Sequence, residues 1–135
     1  MGFTLSELLG SKEVFLKAGG GYPDAAELAG LFVPAGFFIA RIDGASIKDK
    51  KALLSALASG LRFPAYFGGN WDALLDCLRS LPEFSKAAGY AVIVENSGYL
   101  LKNSPEDMDD FRDIAGTAAE FLAEKYKIPL KILML

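Results

Sequence analysis

The chain contains no histidine and a single cysteine, Cys77. Without an imidazole, neither a Ser/His/Asp or Cys/His catalytic set nor a histidine-ligated metal centre can be assembled. One thiol makes no internal disulfide and no thiolate zinc site, and it suits a reducing compartment. No apolar run approaches the roughly 18 residues that a membrane span needs. No basic, then apolar, then small-residue leader opens the chain, so a cytoplasmic protein away from membranes is expected. Met1-Gly2 with Ser6 fits the myristoylation pattern, which is too short to carry weight. A basic excess is also missing: 14 Lys and Arg face 17 Asp and Glu, a net charge of −3. That balance argues against gripping nucleic acid by its phosphates. Residues 1–65 carry 6 acids and 7 bases, whereas residues 66–135 carry 11 acids and 7 bases. An acidic half on a small domain points to a basic partner.

What is present suffices for one domain over residues 1–135. The chain is 52% apolar and 23% charged, which excludes a disordered polymer. A domain of this size buries about 68% of the surface its unfolded chain exposes, so it needs no staples.

Val14-Phe15-Leu16 reads as a strand closed by the loop Gly19-Gly20-Gly21. Pro23 and Asp24 then open a helix to about Phe32, broken by Pro34 and Gly36. Phe37 to Ile42 is a strand ending at the turn pair Asp43-Gly44. Ser46 or Asp49 caps a helix from about Lys48 to Leu61, whose leucines at 53, 54, 57 and 61 keep one apolar face. Asn70 caps a helix from Trp71 to about Arg79, stopped before Pro82. Tyr90 to Val94 is apolar throughout, as a strand covered on both faces would be. A helix from near Pro105 to about Lys125 and a strand over Leu130–Leu135 complete the chain. This alternation predicts an α/β fold with a mainly parallel sheet and helices on its faces.

The helix after Asn70 carries the functional signal. At about 100° per residue, Trp71, Leu74, Leu75 and Leu78 fall at about 100°, 40°, 140° and 80°, a core stripe centred at about 80°. Asp72 and Asp76 lie side by side on the opposite face, one turn apart. Like charges at i and i+4 cost an isolated helix roughly 0.2–0.5 kcal/mol. The dipole relieves Asp72 in the first turn but not Asp76. The pattern is either an ordinary solvated face or a surface that presents anions, with Tyr66 and Phe67 on the preceding loop adding aromatic area. Trp71 reads as packing and Cys77, bordering the stripe, as an inert small hydrophobe. The acids from Glu106 to Asp113 read as a solvated helix start.

The run Tyr66-Phe67-Gly68-Gly69-Asn70-Trp71-Asp72-Ala73-Leu74-Leu75-Asp76-Cys77-Leu78 resembles the signature of the barstar family of ribonuclease inhibitors. That signature is an aromatic pair, Gly, a variable position, Asn, an apolar residue, Asp-Ala-Leu and then Asp-Cys-Leu. The resemblance runs from about Phe38 to the C-terminus, with Ala40 to Gly44 similar to the family's first strand and turn. It implies a core over 37–135 of three parallel strands packed with helices, and residues 1–36 would extend it by a strand and a helix, giving a fourth strand.

The resemblance also implies a mechanism, in which the helix and its preceding loop enter the ribonuclease active site and acids take the places of RNA phosphates. Asp76 would be the main phosphate mimic and Asp72 the second acid. Tyr66 would be the aromatic anchor beside Phe67, Gly68 would allow close backbone approach, and Asn70 would cap the helix near the contact. Leu75 stands where the family presents a Trp, and Gly69 where it presents a Glu. The family's last-helix glutamate matches Ala123 or Glu124 depending on one gap, which makes Glu124 the candidate contact. The expected partner is a basic, barnase-like ribonuclease or another basic toxin. The expected protein is a monomer when free, with no catalytic residues, metal or cofactor.

Other classes are weaker. A hydrolase using Asp72 and Asp76 lacks a convergent third group. The strand, glycine loop and helix at 14–32 suit a phosphate cradle, but no Gly-Lys-Ser/Thr follows. A barstar-like interaction module without a nuclease is the remaining alternative.

Overall fold

The computed structural model describes residues 5–17 and 24–135. Helices α1 (Leu5–Gly10) and α2 (Ala25–Phe32) flank strand β1 (Phe15–Lys17). Strand β2 (Phe37–Asp43) is followed by helices α3 (Lys50–Gly60), α4 (Trp71–Arg79) and α5 (Leu81–Phe84). Strand β3 (Gly89–Glu95), helix α6 (Glu106–Tyr126) and strand β4 (Leu130–Met134) complete the order. The glycine run 19–21 and Pro23 lie outside the described residues, as do Met1 and Gly2. No helix among the described residues is long and apolar enough to cross a membrane.

All four strands are parallel and lie in the order β1-β4-β3-β2. Tyr90 is in register with both Phe38 and Leu130, which places β3 and β4 inside the sheet and β1 and β2 at its edges. Side chains alternate across a strand, and the sequence fills both faces. Ala40, Ile42, Tyr90, Val92, Val94, Leu130 and Ile132 meet the buried faces of α3, α4 and α6. Phe37, Ala91, Ile93 and Leu133 meet Leu8, Leu16, Ala25, Leu28 and Phe32. Residues before Phe37 therefore add an edge strand and cover the second face with α1 and α2. A Cβ on Gly89 would collide with the ring of its register neighbour Phe37. Only glycine lets that ring lie across the strand, where it also touches Phe32 at 5.1 Å between centroids.

Local chemistry decides the boundaries. Asp24 accepts a hydrogen bond from the Glu27 N–H at 2.9 Å and starts α2. Of the two expected caps for α3, Asp49 serves, accepting from the Ala52 N–H at 2.9 Å. The Ser46 hydroxyl instead donates to the Asp43 carbonyl at 2.9 Å, so the helix starts at Lys50 rather than Lys48. Pro82, expected only as a stop, sits in the first turn of α5, where its missing N–H is no loss. Helix α1 was unsignalled: of its side chains described, at residues 6–10, it buries Leu8, and it has no basic residue in its last turn.

Lys131 ties the N-terminal layer to the sheet. Its side chain is buried, and its Nζ donates to the Ser11 carbonyl at 2.7 Å and the Glu13 carbonyl at 2.8 Å. Burial lowers the pKa of this ammonium from 10.5, and the Glu13 charge opposes that shift in part. Lys131→Met keeps the aliphatic stem but strands two carbonyls, an expected loss of about 1–3 kcal/mol. Amide hydrogen exchange should accelerate in residues 5–17 and not in β3. The sign of the pH effect follows from the folded state binding this proton less tightly than the unfolded chain. Relative to Lys131→Met, the parent should gain stability as pH climbs from the lowered folded value to 10.5. Unchanged exchange in β1 would contradict the tie.

Candidate functional site

The loop from α3 to α4 is built by hydrogen bonds and three rings. At the end of α3 the Leu61 N–H donates to the Leu57 carbonyl at 2.9 Å, and Arg62 turns the chain at φ 56°. The Phe63 N–H then returns to the Ala58 carbonyl at 2.9 Å, and the Phe67 N–H closes a turn on the Pro64 carbonyl at 3.0 Å. The Phe63 ring packs on Phe67 at 5.1 Å and edge-on against Phe84 at 6.3 Å. Phe67 is thus half-buried and braces the loop from inside, while Tyr66 points outward, 76% exposed. Gly68 is exposed, and Gly69 adopts φ 69° with open space where a side chain would begin. A residue other than glycine would be strained in that left-handed region.

Asn70 ends the loop and begins the helix. Its Oδ1 accepts from the Ala73 N–H at 2.7 Å and its carbonyl from the Leu74 N–H at 2.9 Å. The core side of α4 is Leu74, Cys77 and Leu78, with Trp71 and Leu75 half-buried at its flank. The buried stripe is therefore rotated from the expected centre toward Cys77, by roughly half the angle between successive residues. Trp71 sits at the margin instead of the centre, and the Lys50 Nζ lies 5.2 Å from its ring centroid. Burial raises the Cys77 thiol pKa above 9.0, and the neighbouring Asp76 charge adds to the shift, which keeps the thiol protonated and unreactive.

The rotation sets Asp72 and Asp76 almost directly opposite the stripe. Both are exposed. Asp72 makes no ion pair among the described residues, whereas Asp76 accepts from the Arg79 Nη2 at 3.0 Å. Arg79 in turn lies over the Phe121 ring of α6, 5.7 Å from its centroid.

Of the residues singled out in the sequence, Tyr66, Gly68, Asn70, Asp72 and Asp76 are all exposed, on the loop and on α4. Phe67 and Leu75, on the same elements, are half-buried. Glu124 is exposed on α6, one turn beyond Phe121, and no hydrogen bond or ion pair joins it to the loop. Sequence reading passed over Arg79. Its place three residues after Asp76, and so on the same helix face, was the available signal. Among the described residues, no three acidic or thiol groups gather as a metal would require.

Residues 37–134 match the family model described as Barstar (barnase inhibitor). The matched span starts with β2 and ends with β4, so it includes the whole loop and α4 and leaves α1, β1 and α2 outside. No curated protein matches the chain.

The cap is open to a direct test. Asn70→Ala should destabilise the protein by about 1 kcal/mol in urea unfolding, because the Ala73 N–H loses its acceptor. Asn70→Asp, which keeps an acceptor, should stay within a few tenths of the parent. Equal stability of Asn70→Ala and parent would mean that the cap does not hold the loop to the helix.

Proposed function

The chain belongs to the barstar family, and from that premise we propose that it inhibits a ribonuclease by filling the enzyme's cationic active site with the loop 66–70 and α4. The observation that carries this reading is the pair Asp72 and Asp76, exposed opposite the buried stripe of a helix that starts from a braced, glycine-containing loop. Carboxylates held on a rigid helix can stand where RNA phosphates bind, taking charge-assisted and often bidentate hydrogen bonds from Arg and Lys. Asp76 is the main mimic and Asp72 the second. Tyr66 supplies the aromatic anchor, an apolar body with a polar tip. Gly68 and Gly69 let backbone approach backbone, Asn70 and Leu75 border the contact, Phe67 stiffens it, and Glu124 stands at its edge.

The protein acts by binding and not by catalysis, as a free monomer that meets its enzyme one to one. It has the character of an antitoxin kept in the cytoplasm of the cell that makes the nuclease. The family's Trp and Glu positions are Leu75 and Gly69 here, which favours a nuclease that reads this surface with less aromatic and acidic contact than barnase. A different basic toxin is the second reading supported by those two positions.

Asp76→Ala removes no packing, since the side chain is exposed, and its thermal unfolding should match the parent's. In the complex it leaves the enzyme's buried cations unpaired, an expected loss of roughly 2–5 kcal/mol of binding. Isothermal titration of parent and variant into barnase or a related basic ribonuclease reads both numbers. Equal binding by the two proteins would remove Asp76 from the site.

A further inference from the structure

The face of α4 that carries the acids is not of one sign. Arg79 follows Asp76 by three residues and Asp72 by seven, spacings that return to the same side of a helix. A surface that covers the acids therefore covers Arg79 as well. Its guanidinium is held from two sides. Nη2 donates to Asp76 Oδ1 at 3.0 Å, and the guanidinium carbon lies 5.7 Å from the Phe121 ring centroid. Phe121 also receives the Lys125 Nζ at 5.4 Å, so a second cation stands at this end of the surface. Arg79 is in the last turn of α4, where the helix dipole favours positive charge. Swinging the side chain away would forfeit all three interactions.

Docking changes the balance around this group. A guanidinium has five N–H donors, and the Asp76 bond uses one of them. A partner that covers α4 strips water from the rest, and burying a charged donor without acceptors is costly. A cation that approaches Asp76 also meets the positive charge of Arg79. A cleft lined by cations alone therefore gains Asp72 and Asp76 but is opposed at Arg79. A cleft with an acid in the right place gains all three, and discrimination of this kind needs a repulsive element as well as an attractive one.

We infer that Arg79 is a specificity-determining residue and that the partner's active-site surface carries a carboxylate among its cations, roughly 5 Å along the α4 axis from the group that meets Asp76. This rests on the reading that α4 docks in a ribonuclease cleft, and it adds the chemistry of the enzyme that fits.

The test uses stopped-flow kinetics with barnase and calorimetry with a hexa-arginine peptide, which offers cations and no carboxylate side chain. Arg79→Gln should raise the off-rate from barnase tenfold or more with unchanged thermal unfolding, while Arg79→Lys, which keeps the charge, stays within a few-fold of the parent. For the peptide the sign reverses: Arg79→Gln should bind several-fold more tightly than the parent at low salt. Asp76→Asn separates the two levels, because its failure to weaken barnase binding would overturn the docking reading whatever Arg79 does. If the parent does not bind barnase, that reading fails for this enzyme and the peptide decides whether Arg79 acts on the acidic face. Arg79→Gln binding barnase as tightly as the parent or more so, or binding the peptide no more tightly, would overturn the proposal.

Discussion

Burial of Leu74, Cys77 and Leu78 fixes the rotation of α4, and the direction of every charged group on that helix follows from it. These side chains are at most 3% exposed, and each leucine contributes roughly 1.5–3 kcal/mol on leaving water. The exposed ion pair between Asp76 and Arg79 is worth about 0–1 kcal/mol, so packing outweighs surface electrostatics in deciding which way the helix faces. Asp72 and Asp76 point outward because the opposite side is committed to the core formed with α3 and α6. The Asn70 cap and the Phe63–Phe67–Phe84 cluster then fix where the loop enters. A surface fixed in advance loses little conformational freedom on binding.

The two faces of the sheet have different duties. The face under α3, α4 and α6 belongs to the family span and carries the proposed docking surface. The other is covered by residues from before Phe37, with α2 over β2 and β3 and β1 added at the edge of β4. This layer is joined by apolar contact and by the buried ammonium of Lys131, which bonds two backbone carbonyls. The two hydrogen bonds go to main-chain carbonyls and so do not depend on the side chains of Ser11 and Glu13, although the Glu13 charge also favours the ammonium.

The alternation of strands and helices was legible because β2 and β3 are apolar runs, at Phe37–Ile42 and Tyr90–Val94, the first of them closed by the turn pair Asp43-Gly44. The α4 boundaries were legible from the Asn70 cap and from Pro82 beyond its end. The resemblance at 66–78 supplied the family and a role for each acid, which spacing alone left open between a solvated face and a docking surface. Less legible were features decided by tertiary contact. The buried stripe of α4, a helix that packs on α6, is rotated toward Cys77, which no property of residues 71–78 records. Phe67 and Tyr66 are chemically similar neighbours, and only the ring cluster with Phe63 turns one inward and leaves the other exposed. Lys131 is a charge in a hydrophobic strand, and its partners, the carbonyls of Ser11 and Glu13, lie far away in the sequence. Arg79 was visible as a cation in a last helical turn, but its place over Phe121 depends on a residue far along the chain, on another helix.

The loop 66–70 and the outer face of α4 are the surface proposed to meet the ribonuclease, and everything functional here turns on that placement. The most direct measurement is a nuclear magnetic resonance titration of the isotope-labelled protein with unlabelled barnase, followed residue by residue through the backbone amides and the side-chain amide of Asn70. Perturbations should concentrate between Tyr66 and Arg79, extend to α6 around Phe121 and Glu124, and leave α2 and β1 unmoved. Binding that perturbs α2 and β1 while sparing residues 66–79 would contradict it.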